Sequence, residues 1–213
     1  IGTDSGLRRR SRVGAPWVGV PGLDGMSVRA VAPDADDGWW IGTLSGLWRL
    51  HADGRAARVD GLRDPRIDAL LRVDDTLWVG TRGGLERLQA GSVVPDLVLA
   101  PLAGDMITTL VRDLDGTLLI ASNTRGLWRL DGRRLARIEP GGAGLHASVW
   151  ALHPDATAIW AGTFGAGLYR IDRATGATTA FSERDGLTNN VVYRILPDAM
   201  DRLWVSTNLG LSV

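Results

Sequence analysis

The segment Trp40-Ile41-Gly42-Thr43-Leu44-Ser45-Gly46-Leu47-Trp48-Arg49-Leu50 recurs along this chain, and no other feature constrains the fold as much. Trp78 to Leu88 is a second copy, Leu119 to Leu130 a third, Trp160 to Ile171 a fourth and Trp204 to Val213 a fifth. Ile1-Gly2-Thr3-Asp4-Ser5-Gly6-Leu7 is a sixth, in progress at the first residue. The small residues Gly2, Gly42, Gly80, Ala121, Gly162 and Ser206 step by 40, 38, 41, 41 and 44 positions. A period near 40 built from strand-like pieces predicts an all-β chain of β-propeller type, whose four-stranded antiparallel blade has about that length.

Each copy splits into four short pieces. The first is apolar and β-branched: Val28 to Ala32, Ile67 to Val73, Ile107 to Val111, Val149 to Leu152 and Val191 to Leu196. A turn rich in Asp, Pro and Gly follows, such as Asp113-Leu114-Asp115-Gly116. Asp suits it by bonding nearby backbone, and Gly by accepting positive φ. The Trp-x-Gly-Thr strand, a hairpin, the Gly-Leu-x-Arg-Leu strand and a less regular fourth strand complete the unit.

The second piece predicts stacking. Side chains alternate between the faces of a strand, so Leu77-Trp78-Val79-Gly80-Thr81 puts Trp78 on one face and Leu77 and Val79 on the other. Neither face is polar, and each small sheet needs cover on both sides. The bare Gly in the Trp strand is expected to leave room for a large ring from the adjoining sheet. Two incomplete and four complete copies give twenty-two strands. The blade pieces are about 1–27, 28–65, 66–105, 106–147, 148–189 and 190–213 of a single propeller domain or fragment. The first and last blades are incomplete, leaving open edges. Flanking sequence is expected to complete the ring, to seven blades.

Composition narrows the function. Basic and acidic residues balance at 24 each, which argues against a nucleic-acid surface or a polybasic membrane arm. With no cysteine there is neither a disulfide framework nor a thiolate zinc site. No apolar run reaches the roughly 18 residues a membrane span requires.

Gly186-Leu187-Thr188-Asn189-Asn190-Val191-Val192, then Ile195-Leu196-Pro197-Asp198, then Asp201-Arg202-Leu203-Trp204-Val205-Ser206-Thr207-Asn208-Leu209-Gly210-Leu211, resembles the two-component regulator propeller repeat. The resemblance runs over essentially the whole chain, once per blade. Leu119 departs from its Trp, Ala121 and Ser206 depart from its Gly, and only the last blade has the full Thr-Asn-Asn lead-in. The resemblance implies a periplasmic sensor module of a bacterial inner-membrane receptor, ahead of a separate transmembrane helix and a histidine kinase or diguanylate cyclase. It implies a small-molecule ligand, often a carbohydrate fragment, and a homodimer through the full-length receptor. On this reading the segment is no enzyme and needs no cofactor. A streptogramin-lyase-like propeller enzyme, which would use a His and a divalent metal, and a structural protein-interaction propeller are the alternatives.

Binding is expected where the repeat does not repeat, on loops that a rigid scaffold positions. The hairpin loop offers Arg82, Asn123, Arg125, Phe164 and Asn208; the lead-in before the first strand offers Asp24, Arg63, Arg66, His146, Asn189 and Asn190. From these, Arg66, Arg82, Arg125, His146, Phe164, Asn189, Asn190 and Asn208 are the candidate ligand-binding residues. Arg forks suit carboxylates, and Phe164 can stack on a sugar ring. The Arg of Gly-Leu-x-Arg recurs as Arg9, Arg49, Arg87, Arg129 and Arg170, which predicts a structural role beside a turn Asp or along a Trp. The Asp-rich turns do not complete an EF-hand. Gly162 to Gly167 has the wrong order for a dinucleotide fingerprint. The three His show no catalytic or metal cluster in sequence.

Overall fold

A computed structural model of the chain describes residues 1–10, 12–139, 145 and 148–213. The chain divides into two compact units, Ile1–Gly104 and Asp105–Val213. Each holds three small antiparallel sheets, the successive blades of a β-propeller fold.

In unit 1, blade 1 is β1 (Gly2–Thr3), β2 (Gly6–Arg9) and β3 (Val18–Gly19). Blade 2 is β4 (Val28–Pro33), β5 (Trp39–Thr43), β6 (Gly46–Leu50) and β7 (Ala56–Val59). Blade 3 is β8 (Ile67–Val73), β9 (Thr76–Thr81), β10 (Gly84–Gln89) and β11 (Ser92–Val93), and the 3-10 turn Leu97–Leu102 follows it. In unit 2, blade 4 is β12 (Ile107–Arg112), β13 (Leu118–Ser122), β14 (Gly126–Asp131) and β15 (Arg134–Ile138). Blade 5 is β16 (Val149–Pro154), β17 (Ala158–Thr163), β18 (Leu168–Asp172) and β19 (Thr178–Phe181). Blade 6 is β20 (Val192–Pro197), β21 (Leu203–Thr207) and β22 (Gly210–Ser212). The outer two blades have three strands and the inner four have four, the distribution that the repeat predicts.

Blade packing follows from the small residue of the Trp strand. A Cβ on Gly42 would lie 2.6 Å from Ile67 Cγ2, and one on Gly162 would lie 2.3 Å from Val192 Cγ1. Gly2 faces Val28 in the same way, at 2.6 Å. The space that glycine leaves therefore admits a β-branched side chain from the next blade's opening strand, and not the aromatic ring expected. The reason is reach: the opening strand runs directly alongside the preceding Trp strand (β4 beside β1, β8 beside β5, β20 beside β17), so a short, stiff side chain fills the gap. Trp40 is buried in the core of unit 1 with Ile67, Leu77 and Val79. Trp160 packs on the buried Val192, Ile195 and Val205 of the next blade.

The threonine of the same strand closes its hairpin. The hydroxyls of Thr3, Thr43, Thr81, Thr163 and Thr207 donate to the carbonyls of Gly6, Gly46, Gly84, Gly167 and Gly210 at 2.7–2.9 Å. Each also accepts a loop N–H, as from Gly83 to Thr81 at 3.0 Å and from Ala166 to Thr163 at 3.0 Å. Gly167 has φ +83°, and a Cβ there would sit 2.1 Å from the Phe181 carbonyl oxygen, so the loop must end on glycine. A Thr81→Val variant keeps the shape but leaves a buried carbonyl and an N–H without their partner. We expect it to cost about 2 kcal/mol, with Thr81→Ser restoring most of that. Urea midpoints of the two variants provide the measurement.

The Arg and Asp of the repeat meet at the opposite turns. Arg49 donates to Asp34 at 2.5 Å and lies over the Trp40 ring at 5.4 Å. Arg129 bonds Asp115 and Arg170 sits 3.4 Å from Asp172, whereas Arg87 sits 3.2 Å from Asp96, the cap of the 3-10 turn after β11. The recurrent arginine is thus the structural group that the sequence predicts. The turn carboxylates also take indole N–H groups, from Trp160 to Asp155 at 2.6 Å and from Trp204 to Asp198 at 2.9 Å. Burial works to raise the Asp155 pKa. The N–H groups of Thr157 and Ala158, the Thr157 hydroxyl and the Trp160 indole outweigh it and hold the pKa at about 2.

Candidate functional site

Two loops meet along one edge of each blade. The hairpin loop donates to the lead-in of its own blade: Leu44 N–H to Ser27, Arg82 to Arg66, Asn123 to Met106, Phe164 to Ser148 and Asn208 to Val191, each through main chain. The loops of adjoining blades within a unit are tied as well, by Gly25 N–H to the Ser5 carbonyl and both Gly165 and Gly167 N–H to the Asn190 carbonyl. The two loop sets singled out from sequence therefore do share an edge within each unit.

The opening strands bring a further set of side chains to that edge. Pairing shifts by one residue between Val28 and Ala30, Ile67 and Ala69, Ile107 and Thr109, Val149 and Ala151, and Val192 and Arg194. Each shift is a β-bulge, which breaks the alternation of faces and re-aims one side chain. The bulged residues are Arg29, Asp68, Thr108, Trp150 and Tyr193. The position before it is apolar in every blade (Val28, Ile67, Ile107, Val149, Val192), whereas this one differs in chemistry from blade to blade.

In unit 2 two of the three bulges build an aromatic cluster with a hairpin-loop residue. The Trp150 ring centroid lies 5.1 Å from that of Phe164, at a tilt of 31°, and 6.1 Å from that of Tyr193, edge to face. Phe164 is 52% exposed, so part of the cluster faces solvent. A polar rim surrounds the rings. Trp150 Nε1 donates to Ser148 Oγ at 2.7 Å, Ser148 Oγ donates to Asn123 Oδ1 at 2.5 Å, and the Tyr193 hydroxyl donates to Asn208 Oδ1 at 3.3 Å. An isolated bridge pairs Phe164 with Val191. Aromatic faces beside fixed amide and hydroxyl groups suit a ligand with an apolar flank and hydrogen-bonding edges.

Not every predicted residue joins this cluster. Phe164 and Asn208 do. Asn189 and Asn190 lie in the adjoining lead-in with their side chains engaged there: Asn189 Nδ2 donates to Glu183 Oε1 at 3.0 Å, and Asn190 Oδ1 accepts from Glu183 N at 2.9 Å. They shape the loop that carries Val191. Arg125 stands in the hairpin loop of blade 4, exposed, its N–H donating to Ser122 Oγ at 2.9 Å. His146 lies outside the described residues. Arg66 and Arg82 belong to unit 1, where they are brought together with Arg29 around the acids Asp64 and Asp68.

Sequence reasoning missed Trp150 and Tyr193 because both fall inside pieces read as buried strand. Their signal was present: with Val28, Ile67, Ile107, Val149 and Val192 aligned, the next column reads Arg, Asp, Thr, Trp, Tyr. A cleft of about 670 Å³ in unit 1 also opens beside β10, where Glu86 stands in place of Trp48, Trp128 and Tyr169. Burial raises the Glu86 pKa. One of its oxygens accepts the Arg63 backbone N–H at 3.0 Å, which ties down the lead-in of blade 3.

The two remaining histidines, His51 and His153, stand at the far ends of β6 and β16 from the loop edge. Among the described residues no group of three or more His, Cys, Asp or Glu side chains is placed to hold a metal ion. No helix among them is long and apolar enough to cross a membrane.

Comparison with known proteins agrees with this architecture. The family model "Two component regulator propeller" matches residues 186–209. No curated protein matches the sequence. The chain is similar to the extracellular domain of the hybrid two component system BT4673 from B. thetaiotaomicron, at 23% identity and a TM-score of 0.77. That match covers 99% of this chain and 30% of that one. The corresponding domain of BT3049 from the same organism aligns at 16% identity and a TM-score of 0.55, over 100% of this chain and 37% of that one. Virginiamycin B lyase from Staphylococcus aureus aligns at 14% identity and a TM-score of 0.73, over 91% of this chain and 68% of the enzyme. The chain spans about a third of the length of those two extracellular domains. Residues 186–209 thus match the two component regulator propeller model, in a chain with the fold of those extracellular domains.

Proposed function

We propose that this chain is a non-catalytic, ligand-sensing part of a bacterial transmembrane receptor and lies in the periplasm. Its ligand is a carbohydrate whose ring stacks on the Trp150–Phe164–Tyr193 cluster. Signalling would use a membrane helix and an output domain separate from this segment, with a second receptor copy as partner. The observation that carries the reading is the cluster itself: three aromatic rings from two bulges and one hairpin loop, partly open to solvent and edged by Asn123, Ser148 and Asn208. The repeat match at 186–209 supports the receptor context. A lyase reading draws on fold likeness alone, and propellers host many functions.

Isothermal titration against a panel of neutral oligosaccharides tests this. At least one sugar is expected to bind. Phe164→Ala and Trp150→Ala should each weaken it about tenfold or more, a loss of roughly 1.4 kcal/mol. Trp39→Ala, at a ring 47% exposed on β5, should leave binding unchanged. Failure of every sugar to bind, or equal affinity in all three variants, removes the proposal.

A further inference from the structure

The two bulges of unit 1 carry charge where two of the three in unit 2 carry rings. Asp68 follows Ile67 on β8, and its side chain is 5% exposed. Its Oδ2 is buried and has no hydrogen-bond partner. Arg29, the bulged residue of β4, places Nε 3.7 Å from Asp68 Oδ1, and Arg82, from the hairpin loop of blade 3, places Nε 3.9 Å from Oδ2. Both separations are too long for a hydrogen bond. Burial raises the Asp68 pKa despite Arg29, Arg82 and Arg66 nearby.

Arg66 is differently placed. It bonds Asp64 through Nε and a terminal nitrogen, both at 3.3 Å. The forks of Arg29 and Arg82 donate no hydrogen bond within the described residues, and their side chains are 42% and 46% exposed. Three guanidinium groups face two carboxylates, so the cluster holds one uncompensated positive charge. Asp68 keeps the two arginines at one edge without saturating them. A planar fork with free donors is the group best matched to a carboxylate or sulfate, which it can bind through two parallel hydrogen bonds.

We propose that Arg29 and Arg82 form a binding site in unit 1 for an oxyanion, a carboxylate or sulfate group, with Asp68 as the internal competitor that positions them. The site differs in chemistry from the aromatic cluster of unit 2 and stands or falls independently of the sugar reading. An acidic sugar and a free inorganic anion present the same group.

The test is isothermal titration of the chain at low ionic strength, where screening is weak. The probes are sodium glucuronate and sodium sulfate, with glucose as the uncharged control. At least one anion should bind more tightly than glucose, and any glucose affinity should be unchanged in Arg29→Gln. Tighter binding of glucuronate than of sulfate identifies an acidic sugar as the source, and the reverse order a free anion. Arg29→Gln and Arg82→Gln should each weaken binding tenfold or more. Arg55→Gln removes equal charge at the opposite edge of blade 2 and should change affinity less than twofold. Asp68→Asn removes the competitor and should tighten binding at least threefold, a result that a merely structural ion pair would not give. Absence of anion binding in both the wild type and Asp68→Asn, or undiminished binding in Arg29→Gln, overturns the proposal. Should Arg82→Gln fail to fold, the Arg29→Gln and Asp68→Asn pair decides alone.

Discussion

A Gly162→Ala variant is expected to lose about 3 kcal/mol of stability, through the addition of one methyl group. The new Cβ would fall 2.3 Å from Val192 Cγ1, 2.9 Å from Val192 Cβ and 3.1 Å from Ala151 Cβ. Rotation can move a γ-methyl, but the Cβ atoms of Val192 and Ala151 are fixed to their strands. Relief therefore requires β20 to shift away from β17. Val192 is fully buried with Ala151, Leu168 and Ile195, so the shift opens the core between blades 5 and 6. Extra carbon in a packed core typically costs 1–3 kcal/mol, and the anchored contacts put this site at the upper end. A Gly162→Ala/Val192→Ala double variant should be less destabilised than the sum of its parts, because the second change removes the clash. Ala121 occupies the equivalent slot in blade 4, buried in one cluster with Val149, so a methyl is accepted where the spacing already includes it. Guanidinium unfolding of the three variants supplies the comparison. A Gly162→Ala midpoint equal to wild type would mean that the blades are not held at this spacing.

That glycine also marks how far the sequence could be read. The period near 40 and the two-sided apolar strands were enough to place Ile67–Val73 at its observed bounds and the other opening strands within about two residues of theirs. A repeat states the same local pattern many times, and turn residues such as Asp113 and Gly116 punctuate it. What fills the space beside Gly42 or Gly162 was not legible, since it depends on which strand of the next blade lies alongside. The bulges were hidden for a related reason. Period-two alternation assigns Trp150 and Tyr193 a face, and the extra residue cancels that assignment. Asn189 and Asn190 show the converse: their polarity marked a loop rim, but the side chains turn back onto Glu183. Phe164 was found because an aromatic residue in a hairpin loop has no core to enter.

Removing Arg173 should be as damaging as filling Gly162, and the damage should depend on pH. Asp113 ends the opening strand of blade 4, and its side chain has no exposed surface. Arg173, 60 residues on in the turn after β18, donates to both its oxygens, one at 3.1 Å. Arg173 Nε also donates to the Asp155 carbonyl at 2.7 Å, so a single guanidinium ties two blades of unit 2. Burial raises the Asp113 pKa. The Arg173 hydrogen bonds and the Leu114 N–H more than offset it and hold the carboxyl below the usual range. With its folded pKa below the unfolded one, the wild-type pair stabilises fully above the ordinary carboxylate value of 3.8 and loses that contribution as pH falls through the folded value. Arg173→Ala strands a buried carboxylate, for which about 3 kcal/mol is the expected loss at neutral pH. In that variant burial still acts on Asp113 and only the Leu114 N–H and the Arg129 charge oppose it, so its folded pKa rises from the wild-type value. Its penalty is then present at neutral pH and relieved as acid protonates the group. The gap in melting temperature between wild type and Arg173→Ala should therefore be widest near pH 7 and narrow toward pH 4, while the double variant Asp113→Ala/Arg173→Ala should show a smaller gap with little pH dependence. A constant gap across that range would show that Arg173 acts through packing and not through the charge of Asp113.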